Sequence, residues 1–181
     1  MTYQAREVLS DCRLALGLLE EETDLRTWRV LWAAAVSLIR AIGHVLDKVD
    51  GKNPAIKSIS NRMYKDWKSS ASEHLIFREF IEKERNNLLK EYQINVHPLE
   101  EVPVVLQAVL QPIGGGEAIT VAVDTMEMGE NVYRPMMEGP WEGDDAREVL
   151  TEAIEWWEVQ LDAIDEAVVG KTSSADPTVK P

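Results

Sequence analysis

The chain has 181 residues, 45% of them hydrophobic and 28% charged, which is the make-up of one folded domain able to bury a core without staples and not that of a disordered chain. Its net charge of −13 is unevenly placed, with 15 Lys+Arg against 14 Asp+Glu in residues 1–99 and 4 against 18 in residues 100–181. So acidic a second half argues against a nucleic-acid partner. The single cysteine, Cys12, excludes an internal disulfide.

The opening stretch, Met1 to Glu7, runs directly into an amphipathic pattern and carries no signal-peptide-like apolar run. Ala5, Leu9, Cys12, Leu16 and Leu19 recur at three- and four-residue steps, predicting a first helix over Tyr3–Glu20, with Cys12 as a buried small hydrophobe. Thr23 is the expected N-cap of a second helix. There Leu25, Trp28, Trp32, Ala35, Ile39, Ile42, Leu46 and Val49 alternate the same steps, and a flanking stripe of Leu31, Leu38 and Val45 widens the apolar surface. Such a helix belongs at the centre of a bundle, with surface to spare for self-association. Arg29 and Arg40 bracket its most apolar part too closely for a membrane span. A cytoplasmic, membrane-free protein is the expectation.

Asp50-Gly51 predicts a glycine C-cap, and Asn53-Pro54 the start of a third helix buried through Ile56, Ile59, Met63 and Trp67. Ser70-Ala71-Ser72-Glu73 has the form of a capping box opening a fourth helix that runs to Tyr92. After His97-Pro98 the period changes to two. Val102–Gln111 and Ala118–Met126, split by Pro112-Ile113-Gly114-Gly115-Gly116, predict a β-hairpin, with Val132–Met137 as a third strand of a meander. Asp145-Ala146-Arg147-Glu148 opens a last helix carrying Val149, Leu150, Ala153, Trp157, Leu161, Ile164 and Val168 on one side. The expected architecture is a single α+β domain over residues 1–170: a bundle of about five helices with a small antiparallel sheet before the last, then a disordered tail over 171–181.

No cofactor or metal is expected. His44, His74 and His97 have no ligand partner at a recognised interval, and His44 shares the polar stripe of the second helix with Ser37, Arg40 and Asp47. The glycine run leads into a strand, not a helix, so it is a turn and not a phosphate loop. Trp157 fits the core stripe of the last helix. Trp156, about 100° away, and Trp141, in a Gly-Pro-Trp-Glu-Gly loop, are the candidate partner contacts.

The fourth helix carries the nearest approach to a chemical signature. Phe77, Ile81, Arg85, Leu88 and Tyr92 follow at steps of four, four, three and four, setting an arginine into an apolar stripe. The run Arg85-Asn86-Asn87-Leu88-Leu89-Lys90-Glu91-Tyr92 resembles the signature of HEPN-domain proteins, helical bundles of which many are ribonucleases of toxin–antitoxin and anti-phage systems. Arg85 and Asn86 match the opening and Tyr92 the closing tyrosine, while Lys90 stands where the family has its histidine. The resemblance implies a helical bundle; the lysine, a poor general base with an ordinary pKa of about 10.4, implies a degenerate and inactive site. The functional expectation is a non-enzymatic interaction or regulatory protein, linked to a toxin–antitoxin or phage-related system, with a protein partner or self-association and with Arg85, Asn86, Lys90 and Tyr92 as candidate functional surface. The alternatives are a HEPN-type ribonuclease and, from the dense carboxylates of the last helix, an acidic DNA-mimic inhibitor.

Overall fold

The computed structural model describes residues 1–97, 102–113, 115–128 and 133–173. Five α-helices and one antiparallel strand pair follow in chain order: α1 Tyr3–Glu21, α2 Leu25–Lys48, α3 Pro54–Trp67, α4 Lys83–Glu91, β1 Val102–Leu110, β2 Ile119–Met128 and α5 Ala146–Ser173. The mainly helical α+β architecture expected from the periodicities is the one observed.

Helix α2 is the centre. Trp28, Trp32, Ala35, Val36, Ile39, Ile42 and Leu46 are buried along it, under α1, α4 and α5. It is long and apolar enough to cross a membrane, but its apolar stripe faces these neighbours. The flanking Leu31 and Leu38, expected to leave apolar surface for self-association, are themselves packed against the core. Its N-cap is Asp24, not Thr23, and the Asp24 carboxylate accepts the Thr27 N–H at 2.7 Å. Its C-terminus is not a left-handed glycine cap either. A 3₁₀ turn over Asp50–Lys52 ends it, and a Cβ on Gly51 would lie 3.1 Å from the Leu46 carbonyl oxygen, so close approach is what calls for glycine there.

Helix α1 buries Ala5, Leu9, Cys12, Ala15 and Leu19. Burial pushes the Cys12 thiol up to about 12, so it stays an inert neutral hydrophobe. The first turn of α1 is capped from a distance: Asp50 accepts the N–H groups of Gln4 and Ala5 at 3.2 and 2.9 Å. Thr2 is fully buried, and Asp165 of α5 accepts its N–H at 2.8 Å and its hydroxyl at 3.0 Å.

Between α3 and α4 the expected capping box does not form. Ser72–His74 is a 3₁₀ turn without a side-chain cap, and Ile76–Glu82 is a π-helical segment that runs into α4. That segment buries Ile76, Phe77, Phe80 and Ile81. Phe77 joins Trp67 of α3 and Trp156 and Trp157 of α5 in an aromatic cluster with ring centroids 5.0–6.1 Å apart.

The strands pair from Val102↔Met128 to Leu110↔Ile119, with a bulge between Leu106 and Gln107. The third strand does not form among the described residues. Pro135 and Met136 make only isolated bridges, to Asp145 and to Val96 and Glu142, while Val132 lies outside the described residues. Val105, Leu106, Val109, Leu110 and Ile119 of the hairpin are exposed. Asp145 opens α5 as expected, its carboxylate accepting the Arg147 N–H at 2.9 Å. The helix extends through Ser173, past the expected tail boundary; residues 174–181 of that tail lie outside the described residues.

Candidate functional site

The four residues singled out on α4 do not converge. Arg85 is half-buried on the flank of the helix, and the inward position of that turn is taken by Glu84. The stripe steps three then four, from Ile81 through Glu84 to Leu88, where the sequence reading had four then three; both orders fit a helix. Glu84 is held by the Asn95 N–H at 3.1 Å. Burial nevertheless raises its pKa, partly offset by that N–H and by the nearby Trp32 indole N–H, which completes no hydrogen bond of normal geometry.

Asn86 is half-buried and its Oδ1 accepts from Arg85 Nη1 at 3.1 Å. Lys90 is exposed. Tyr92 is 73% exposed and ends α4 in the left-handed conformation, φ 52°, with the Arg29 guanidinium 5.9 Å from its ring. Arg85 and Tyr92 therefore address opposite halves of α2.

Arg85 has no carboxylate oxygen within 4.0 Å among the described residues. Its charge is felt instead by His44 of α2. Partial burial, then Arg40 and Arg85, hold the imidazole below its ordinary pKa of 6.5, and Asp47 opposes them more weakly. Apart from burial, the neighbours that lower the His44 pKa are cations, in a strongly acidic protein.

His44 borders a cleft of about 300 Å³ between α2, α3, the π-helical segment and α5. Arg40, His44 and Asp47, at i, i+4 and i+7, form its α2 wall. Ser60, Asn61, Tyr64 and Trp67 line it from α3, Phe77 from the π segment and Trp157 from α5. Asp47 is neutralised by Lys57 and by Lys48 at 2.9 Å, and Glu82 is shared between Lys68 and Arg40, the latter at 3.4 Å. The Arg40 guanidinium also stands 6.0 Å from the Phe77 ring. Trp157 is fully buried and its indole N–H has no hydrogen-bond partner among the described residues. Cations outnumber anions around this cleft, and its floor is aromatic.

The two tryptophans expected as partner contacts are placed differently. Trp156 is only 8% exposed, stacked on Phe77 at 5.1 Å, with its N–H donated to His74 Nδ1 at 3.4 Å, so the aromatic cluster covers most of it. Trp141 is partly buried against Phe80 and donates its N–H to Glu152 at 3.0 Å. On α5, Glu158 pairs with Arg13 and Asp162 and Asp165 with Arg6, and just before it Asp145 pairs with Arg147, so part of the acidic face is engaged within the chain. No group of three or more His, Cys, Asp or Glu among the described residues could hold a metal ion.

Sequence reasoning grouped Arg40, His44 and Asp47 as a solvated stripe and missed that α3 and α5 turn it into one wall of a cleft. The available signal was Gly43 within that stripe. A Cβ there would lie 3.2 Å from both Arg40 Nη1 and the Trp157 ring. Comparison with protein-family models, curated proteins and solved structures returns no match for this chain.

Proposed function

We propose that this chain is a non-enzymatic interaction or regulatory protein whose working surface is the cationic rim of the α2–α3–α5 cleft, where Arg40 and His44 receive an anionic group of a partner and Arg85 adds its charge from α4. The observation that carries the reading is the α2 wall itself: Arg40 and His44 line the cleft, and its one lining carboxylate, Asp47, is paired with Lys48 and Lys57 in a chain of net charge −13. A guanidinium so placed favours a bidentate anion such as phosphate or carboxylate. Titrating inorganic phosphate into the labelled protein tests this. Resonances of residues lining the cleft shift, and Arg85→Gln weakens the response about fivefold, through the loss of a positive charge near His44. Unchanged cleft resonances would remove the reading. Self-association belongs to the same proposal, and the apolar side chains of the hairpin are the exposed surface that supports it.

A second reading, a HEPN-type ribonuclease, is favoured by one observation. An imidazole absent from α4 stands on α2, where burial, then Arg40 and Arg85, hold the His44 pKa below its ordinary value. In that reading mixed RNA is cleaved and His44→Ala abolishes the cleavage; RNA left intact by the wild-type protein ends it.

A further inference from the structure

We infer that the cleft is a binding site for a small planar aromatic anion, of the aryl phosphate or aryl carboxylate class. The inference rests on the reading that the rim receives an anion, and adds what the floor requires. At about 300 Å³ the cleft is at the small end of ligand sites and holds one ring with its substituents. Trp67, Phe77 and Trp157 are buried and form its base, while Tyr64, edge-on to Trp67 and Phe77, keeps 43% of its surface open. That is the ring a flat ligand would cover.

Charge and ring surface meet at Gly43. Because this position has no side chain, the Arg40 guanidinium and the Trp157 ring both come within 3.2 Å of where its Cβ would stand. A ligand with its ring on the aromatic floor would set its anionic group at Arg40 and His44, with Arg85 adding field from α4. Asp47 is the one carboxylate in the lining, and Lys48 and Lys57 pair with it. An extended polyanion fits poorly, because the net charge of −13 repels it beyond the cleft and the volume encloses a single ring.

Calorimetry and NMR of the His44 imidazole with four probes test the inference: phenyl phosphate, benzoate, inorganic phosphate and benzyl alcohol. The aryl anions are expected to bind about tenfold more tightly than inorganic phosphate or benzyl alcohol and to raise the His44 pKa. The tighter of the two aryl anions identifies the acid group. Tyr64→Leu is expected to lose about tenfold for the aryl anions and nothing for inorganic phosphate. Arg85→Gln, outside the lining and away from the aromatic floor, weakens every anion about fivefold, and Arg26→Gln, at the far end of α2, weakens none. Equal affinity for phenyl phosphate and inorganic phosphate would overturn the aromatic ligand and leave the anion-receiving surface standing. No binding of any anion would overturn both.

Discussion

Gly43 on α2 and Trp157 on α5 approach so closely that a Cβ on Gly43 would stand 3.2 Å from the indole ring. Trp157 has nowhere to retreat: it is fully buried, with Trp67 and Trp156 ring centroids at 5.3 and 5.0 Å. In Gly43→Ala the helix-propensity gain of about 1 kcal/mol opposes an overpacking cost of about 1–3 kcal/mol. The expected result is a net loss of about 1 kcal/mol, read as a lower urea midpoint at unchanged slope. A more stable variant would show that α2 and α5 part easily.

Asp165 holds the start of the chain to its last helix. It accepts the Thr2 N–H at 2.8 Å, the Thr2 hydroxyl at 3.0 Å and the Arg6 guanidinium at 2.9 Å. Asp165→Ala leaves the buried Thr2 N–H without its acceptor, at a cost of about 2–4 kcal/mol. Hydrogen exchange should show the first turn of α1 losing protection before the rest of the bundle.

Two buried carboxylates give opposite pH dependences. At Asp145 burial pushes the pKa up, but the Arg147 side chain and the N–H groups of Arg134 and Arg147 outweigh it and hold the group below its usual range. Its folded pKa lies below the unfolded one, so its contribution is present above about pH 3.9 and is lost as pH falls through the folded value. At Glu84 burial wins and the folded pKa is raised. The unfolded chain then ionises first, so stability is greatest below about pH 4.3 and declines as pH rises through the folded value. Glu84→Gln, whose amide oxygen still accepts the Asn95 N–H, is expected to be neutral at pH 4 and stabilising at pH 7. Asp145→Asn is expected to cost on the order of 2 kcal/mol at pH 7 and progressively less toward pH 3. Denaturant melts across pH check both signs.

Tyr92 is the one non-glycine residue with positive φ among the described residues, and its N–H closes α4 onto the Leu88 carbonyl at 3.1 Å. Glycine is the residue that such a helix end favours. Tyr92→Gly is therefore expected to stabilise the protein by roughly 0.5–1 kcal/mol, visible as a higher Tm, despite losing the Arg29 contact. A lower Tm would show that the ring contributes more than the backbone strain costs.

Apolar periodicity made the helices legible, because a stripe at three- and four-residue steps has few ways to be buried. Alternation and the glycine run did the same for the hairpin. What stayed hidden depends on contacts across long sequence separations. A three-four and a four-three step look alike in sequence, so Arg85 rather than Glu84 was read as inward. Trp156 and Trp157 point about 100° apart, yet both are buried, because Trp67 and Phe77 arrive from two other segments. The cap expected at Ser70–Glu73 gave way to a 3₁₀ turn, followed by a π-helical segment whose broad face buries Phe77, Phe80 and Ile81 together. The cleft was hidden for the same reason: Arg40 stands on α2 and Tyr64 on α3, and apart from Gly43 nothing local in either helix announces the other.

The most direct measurement is the pKa of His44 by NMR, in the wild-type protein and in Arg85→Gln. The account predicts a wild-type value below the ordinary 6.5 and a rise when the Arg85 charge is removed. A wild-type value at or above 6.5, unmoved by the substitution, would mean that Arg85 brings no positive field to the cleft, and would contradict the proposed surface.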